Sequence, residues 1–274
     1  MSAQIINGKS IAQGIKKDLK TIIEKLPLKP GLAVVLVGDN PASQVYVRMK
    51  KKACQEIGIE SFSYNFDNTT TESDLLSLLS KLNKNKNIHG ILVQLPLPKH
   101  INASNIIKAI LPEKDVDGFH PLSPHIPCTP AGIIKLIKST KVNIASKKAV
   151  VLGRSNIVGR PVANLLIKEN ATVTICHSYT RELQKETLQA DILVSAVGRP
   201  KIITENMVKQ GAIVIDVGTN RVDDRLVGDV DFDNVKNRAA YLTPVPGGVG
   251  PMTITMLLKN TIDSAANQYD FKYK

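Results

Sequence analysis

The chain has no tryptophan, and aromatic residues make up only 4% of its 274 residues. Few rings are therefore on offer as stacking platforms, which weighs against a single-strand nucleic-acid binder. Cysteine is scarce as well: Cys54, Cys128 and Cys176 are odd in number, stand in apolar contexts and show no Cys-x-x-Cys spacing. Neither a disulfide framework nor a zinc site is indicated. The five histidines lack metal-ligand spacing too, so no metal is expected. No apolar run approaches the length that spans a bilayer, and Met1-Ser2-Ala3-Gln4 lacks the basic-then-apolar start of an export signal. A cytoplasmic protein without a membrane partner is expected. Internal repeats and low-complexity tracts are missing.

What is present is an ordinary globular balance, 43% hydrophobic and 22% charged, in a chain long enough for two domains. The formal net charge is +12. Basic surfaces attract polyanions, yet this excess is mostly lysine spread from Lys9 to Lys274, and no nucleic-acid reader motif accompanies it. The reading is a solvated lysine-rich surface with no nucleic-acid partner, compatible with an acidic small-molecule substrate.

The stretch that organises the chain is 147–166. Residues 149–152 form a short valine-rich run, as a strand covered on both faces should. A turn bounded by Gly153 and Gly159 follows, then a helix with Pro161 in its first turn, where the missing N–H costs nothing. Such a helix start offers unpaired N–H groups to an anion, and the anion expected is a pyrophosphate. The glycine spacing departs from G-x-G-x-x-G, so the next strand, 171–176, carries the argument. It ends in His177 and Ser178, where an NAD enzyme usually places a carboxylate for the ribose 2′-OH. Without that acid a 2′-phosphate is tolerated, and Arg154 and Ser178 can hydrogen-bond it. NADP is favoured over NAD.

Around this stretch strands and helices alternate, which implies parallel sheets. Helices are expected over 11–26, over 41–57 after Asn40 as cap, and over 71–82 and 102–110, with strands at 32–37, 61–66 and 88–95. The second series has strands at 148–152, 172–176, 192–196, 212–217 and near 241–243, with helices starting at Pro161 and near Thr204. Pro121, Pro124, Pro127 and Pro130 crowd a passage read as interdomain, after which Thr129 caps a helix over 130–139. The last helix runs from Pro251 past Leu258. The fold class expected is α/β, with two domains each built on a mostly parallel sheet flanked by helices, the C-terminal one Rossmann-like. One domain takes residues 1–139 plus 251–274 and the other 140–250.

Three constellations carry chemistry. Ser43, Tyr46 and Lys50 share one face of a helix at i, i+3, i+7, beside an apolar stripe of Ala42, Val45, Met49, Ala53 and Ile57. An amine bordering a core is partly desolvated, which makes a lysine usable as a base. Tyr-x-x-x-Lys also occurs in short-chain dehydrogenases, but there it lies downstream of the dinucleotide turn, whereas here it lies far upstream. Gln94 ends a buried strand before Pro96 and Pro98, where open α/β sheets bind ligands. Asp117 stands in Asp115-Val116-Asp117-Gly118, a turn sequence if taken alone.

Taken together the motifs resemble one family. Gly38-Asp39-Asn40-Pro41-Ala42-Ser43 with Tyr46 and Lys50, Gly90-Ile91-Leu92-Val93-Gln94-Leu95-Pro96-Leu97-Pro98, Lys114-Asp115-Val116-Asp117-Gly118-Phe119, the 153–161 turn and Thr243-Pro244-Val245-Pro246-Gly247-Gly248-Val249-Gly250-Pro251-Met252-Thr253 are similar, in order, to the bifunctional methylenetetrahydrofolate dehydrogenase/methenyltetrahydrofolate cyclohydrolases. The resemblance implies NADP-linked oxidation of 5,10-methylenetetrahydrofolate, then hydrolysis of the methenyl product to 10-formyltetrahydrofolate, in a homodimer. It makes 1–139 plus 251–274 the catalytic and folate-binding domain and 140–250 the NADP-binding domain. Position by position it implies Lys50, Tyr46 and Gln94 as catalytic, and Asp117, Ser43, Pro246, Gly247 and Gly248 as substrate-binding. Gly153, Arg154, Ser155, Gly159, Ser178, Val197, Gly218 and Thr219 are the implied cofactor contacts. The chain departs from the family in a shortened passage between Phe119 and Cys128, in Ser146 for the usual glycine, and in Tyr179 where Arg or Lys is usual. The lysine excess is read as an attraction for polyglutamylated folates.

Overall fold

A computed structural model describes residues 2–271. The first half of the chain gives β1 (Gln4–Ile5), α1 (Gly8–Ile23), β2 (Gly31–Val37), α2 (Pro41–Ile57), β3 (Glu60–Phe66), α3 (Glu72–Lys84), β4 (Gly90–Val93) and α4 (Ala103–Ala109). The second half gives α5 (Cys128–Ser139), β5 (Lys148–Leu152), α6 (Gly159–Lys168), β6 (Thr172–Cys176), α7 (Leu183–Thr187), β7 (Ile192–Ser195), β8 (Ile213–Asp216), β9 (Asn220–Val222), β10 (Arg225–Val227), α8 (Phe232–Val235), β11 (Tyr241–Leu242) and α9 (Val249–Gln268). The chain divides into two compact units, Gly14–Cys128 with the residues from Ile254 onward, and Thr129–Thr253 with the residues up to Gln13.

The first unit holds a parallel sheet of order β3-β2-β4. β2 is central and buried along its whole length, which is why its sequence is an unbroken apolar run. Local signals set the helices around it. Asn40 caps α2 by accepting the Ser43 N–H at 3.0 Å, and Gly58 ends it at φ 95°. Thr71 and Asp74 form a capping box on α3. Leu75, Leu79, Ile91 and Ile106 fill the core between α3, α4 and the sheet. α9 closes the unit with polar side chains: Ser264 Oγ donates to the carbonyl of His89 at 2.7 Å, and Asn260 Nδ2 donates to that of Val116 at 2.9 Å.

The second unit holds a six-stranded parallel sheet of order β1-β11-β8-β7-β5-β6. From β5 the chain steps to β6 at the edge, then returns to the other side of β5 to form β7. The strand order therefore reverses between β5 and β7, the point at whose carboxyl end open α/β sheets bind ligands. β9 and β10 form a separate antiparallel hairpin, turned by Asp223 and Asp224 at φ 45° and 62°.

Several expectations change. Residues 2–13 and 129–139 pack with the second unit, because β1 pairs with β11 and because Gly132 lies so close to Met252 that a Cβ would come within 2.9 Å of it. α5 opens at Cys128, so Thr129 lies in its first turn and its Oγ1 meets that of Thr253 at 2.9 Å. Near Thr204 there is only a 3-10 turn, Glu205–Met207, since Ile203 is engaged in a bridge with Val230. β1, the β9–β10 hairpin, α7 and α8 were not foreseen.

Candidate active site

α2 is rotated relative to the expected stripe. Val45 and Met49 are 44% and 45% exposed, and the buried face is Ser43, Val47, Lys50, Cys54 and Ile57, with Ala53 beside it. The polar residues thus stand on the buried face rather than at its border. Lys50 is 6% exposed, and its Nζ donates to Gln94 Oε1 at 2.9 Å. The other end of that amide is held as well, since Gln94 Nε2 donates to the Leu95 carbonyl at 2.9 Å, next to the cis Leu95–Pro96 bond. A strand-end amide fixed at both ends therefore aims one oxygen at one buried amine. Tyr46 lies one turn before Lys50, half-buried.

Asp117 joins this cluster. Burial pushes its carboxyl above the usual carboxylate range, Lys50 opposes that shift, and Asp115 adds to it. Its turn requires Gly118, which sits at φ +78° and whose Cβ would lie 2.7 Å from the Pro127 nitrogen. Cys128 hydrogen-bonds Asp117 and donates to the Val116 carbonyl at 3.3 Å, while burial holds its thiol well above the ordinary range. Burial likewise pushes the Cys54 thiol up to about 12, with Lys50 opposing. Neither thiol is a nucleophile at neutral pH. The proline-rich passage is no bare linker: His120 N donates to Asp115 Oδ2 at 2.8 Å, Ser123 Oγ to the Asp115 carbonyl at 3.0 Å, and Asn260 reaches the Ile126 carbonyl at 3.2 Å. The turn that carries Asp117 is thus held from both sides within its own unit. Sequence reasoning missed Cys128 and Asn260. The signal for Asn260 was its place on one helix with Met252, Leu257, Leu258 and Ile262, where a buried amide needs partners.

In the second unit a cavity of about 430 Å³ opens at the carboxyl ends of β5, β6 and β7. Gly153, Arg154, His177, Ser178, Val197 and Arg199 line it, with no carboxylate among its described lining residues. Gly153, at φ +116°, has no room for a Cβ, which would stand 2.3 Å from the Ala196 carbonyl. A Cβ on Gly159 would meet the Gly153 carbonyl at 2.2 Å, so the two glycines let α6 start directly against the strand end. The free helix N-terminus expected here is largely engaged. Ser155 Oγ accepts from Val158 N at 3.2 Å and Gly159 N at 3.3 Å, and its carbonyl accepts from Arg160 N at 3.1 Å. The Ser155 hydroxyl proton is left to donate to an anion. The Arg154 guanidinium lies over the Tyr179 ring at 5.9 Å.

Gly218 and Thr219 follow β8, and a Cβ on Gly218 would fall 2.2 Å from Asp229 Oδ1. Burial pushes Asp216 up to about 6, against the pull of N–H donors from Val230, Asp229 and Gly218. Pro246, Gly247 and Gly248 also belong to this unit, while Ser43 and Asp117 belong to the other, so the expected substrate set is divided. The 246–248 loop packs on the start of α1, where Lys9 N donates to the Gly247 carbonyl at 2.9 Å.

A parallel sheet with a glycine-built cavity at its switch point, in a chain that also holds a buried lysine hydrogen-bonded to a strand-end amide, defines a two-unit α/β enzyme of the nucleotide-cofactor class. The family model for the catalytic domain of tetrahydrofolate dehydrogenase/cyclohydrolase matches residues 6–117, and the model for its NAD(P)-binding domain matches 127–269. The chain belongs to the tetrahydrofolate dehydrogenase/cyclohydrolase family. It is 55% identical to the bifunctional protein FolD of Anoxybacillus flavithermus, covering 98% of this chain and all of that one (100%). The crystal structure of the bifunctional FolD methylenetetrahydrofolate dehydrogenase/cyclohydrolase from Campylobacter jejuni matches with a TM-score of 0.95 at 47% identity, covering 97% of this chain and 100% of that one. The Trypanosoma brucei FolD, complexed with NADP and an inhibitor, matches with a TM-score of 0.95 at 39% identity, over 98% and 99% of the two chains.

Proposed function

We propose that the protein oxidises 5,10-methylenetetrahydrofolate to the methenyl form with NADP and then hydrolyses that product to 10-formyltetrahydrofolate. The observation that carries the reading is the 2.9 Å bond from the buried Lys50 Nζ to Gln94 Oε1, in a chain of this family. Hydride departure is driven by the lone pairs of the substrate's own nitrogens, so the first step needs alignment more than acid–base help. NADP, when bound, supplies the hydride acceptor. The second step adds water to a cationic carbon, that water must lose a proton, and the bond from the carbon to N5 then breaks as N5 takes a proton up, which leaves the formyl group on N10. The Lys50 amine takes the water's proton, directly or through a second water, when Gln94 holds the amine in place. Asp117 accepts two N–H bonds from the aminopyrimidinone edge of the pterin, Tyr46 packs beside that ring, and Ser43 adds a folate contact from the same unit.

NADP rather than NAD is supported by the cavity's Arg154, Ser178 and Arg199, and by the lack of a carboxylate among its described lining residues. Arg154 and Ser178 hold the 2′-phosphate, Tyr179 keeps the guanidinium in place by stacking, and Ser155 donates to a phosphate oxygen. Gly153, Gly159, Val197, Gly218 and Thr219 allow close approach of the backbone. The enzyme acts as a homodimer in the cytoplasm, a location with which three free, buried cysteines accord.

The test is an absorbance time course of the purified protein with methylenetetrahydrofolate, offered NADP and NAD in parallel. The expected result is reduction of NADP in preference to NAD, with methenyltetrahydrofolate consumed faster than in enzyme-free buffer. Accumulating methenyl would leave a dehydrogenase without the hydrolase, and no reduction with either cofactor would remove the reading. Sedimentation of the same sample checks the dimer.

A further inference from the structure

The loop that follows β7 is shaped by a residue far from it in sequence. Asp229 is fully buried, and its carboxylate collects five donors. Oδ2 accepts from Val197 N at 2.8 Å, Gly198 N at 3.2 Å and Ser195 Oγ at 3.2 Å. Oδ1 accepts from Arg199 N at 2.9 Å and Asn220 Nδ2 at 3.1 Å. Three successive backbone N–H groups converging on one point form the kind of concavity that elsewhere binds a free anion. Gly198, at φ +66°, makes the convergence possible, and here the protein fills the concavity with its own acid.

A second carboxylate ties in the neighbouring loop. Asp216 Oδ1 accepts from Gly218 N and from Asp229 N, both at 2.9 Å, and Oδ2 accepts from Val230 N at 2.9 Å. Glycines clear the space for both acids: a Cβ on Gly228 would lie 1.8 Å from Asp216 Oδ2, as one on Gly218 would lie 2.2 Å from Asp229 Oδ1. The loops after β7 and β8 are therefore both moulded on the segment 228–230. The first of them, through Val197 and Arg199, is a wall of the cavity at the sheet's carboxyl end.

We propose that Asp229 is a positioning residue of the NADP site, which holds the 197–199 wall in the shape that the cofactor meets and touches no substrate itself. This rests on the reading of that cavity as the cofactor site. A buried carboxylate with charge-assisted bonds to three amides is a stiff template, whereas an asparagine there must turn its NH2 toward N–H donors and release at least one of them.

The test compares wild type, Asp229→Asn and Asn220→Ala. NADP binding is measured by titration calorimetry, KM for NADP and kcat by the dehydrogenase assay, and hydrolysis of added methenyltetrahydrofolate with no nicotinamide present. Asp229→Asn is expected to raise both the Kd and the KM for NADP at least tenfold while hydrolysis stays within twofold of wild type. Asn220→Ala, which keeps the carboxylate but removes one donor, should raise them two- to fivefold. NADP affinity unchanged in Asp229→Asn, or a parallel loss of hydrolysis and binding that follows the folded fraction alone, would overturn the proposal. If Asp229→Asn does not fold, Asn220→Ala decides it, and wild-type affinity there overturns it. A wild-type protein that neither binds NADP nor opens methenyltetrahydrofolate would instead remove the functional reading beneath it.

Discussion

Replacing Lys50 by glutamine keeps a polar group on the buried face of α2 but removes the amine, and it should separate the two proposed reactions. Hydrolysis of methenyltetrahydrofolate is expected to fall by about 100-fold or more, the usual range for losing a general base, while NADP reduction persists. Wild-type hydrolysis in Lys50→Gln would end the assignment. Asp117 gives a pH dependence of known sign. Burial raises its pKa, so as pH falls it takes up a proton sooner than an ordinary carboxylate and would lose the two pterin N–H bonds proposed for it. KM for the folate should therefore climb as pH is lowered, starting at a higher pH than an ordinary carboxylate would give, and a profile equally steep in Asp117→Asn would assign the effect elsewhere. These residues were legible in the sequence because each stood at a marked place: Lys50 at helical spacing from Ser43, Gln94 at a strand end before prolines, Asp117 before a glycine. Cys128, Asn260 and Asp229 were not, because their partners stand in other loops and helices with no local spacing to mark them, at the extreme the 144 residues between Asn260 and Val116.

Elements with a period and punctuation were readable, and those without were not. β2, β5 and α3 carried both, in apolar runs or helical leucines bounded by caps and glycines. β1 has two residues and α8 four, too few to show any period, and both depend on neighbours that the chain reaches much later or earlier. On α2 the period was right and the phase wrong, because the apolar side chains of Val45 and Met49 drew the stripe away from a buried face that contains a lysine. The β5–α6 turn offers the clearest test at this scale. Gly153→Ala forces a side chain into positive φ and against the Ala196 carbonyl, and should lower stability by about 3 kcal/mol. The expected outcome is a lower urea midpoint together with weakened NADP binding, and an unchanged midpoint would show that the turn relaxes freely.

For the whole molecule, the net charge of +12 bears on substrate choice. If lysines draw in the acidic tails of folates, pentaglutamyl substrate should show a lower KM than monoglutamyl substrate at low ionic strength. The gap should close above roughly 0.1 M salt, where charges are screened beyond about 10 Å. Equal KM values at low salt would leave the lysines without this role. The division of the chain was only partly visible beforehand, because a boundary inside a continuous helix leaves no mark in composition. Such crossings occur within α1 and α9 and at the start of α5. They also impose an order on synthesis. The unit that holds Lys50, Gln94 and Asp117 is begun early, yet Asn260 and Ser264, which clasp the carbonyls of Val116 and His89, leave the ribosome only after the entire cofactor-binding unit. The nascent first unit waits unfinished while its neighbour is made, so translation stalled before α9 should yield a chain that can assemble the second unit's sheet before it can complete the first unit.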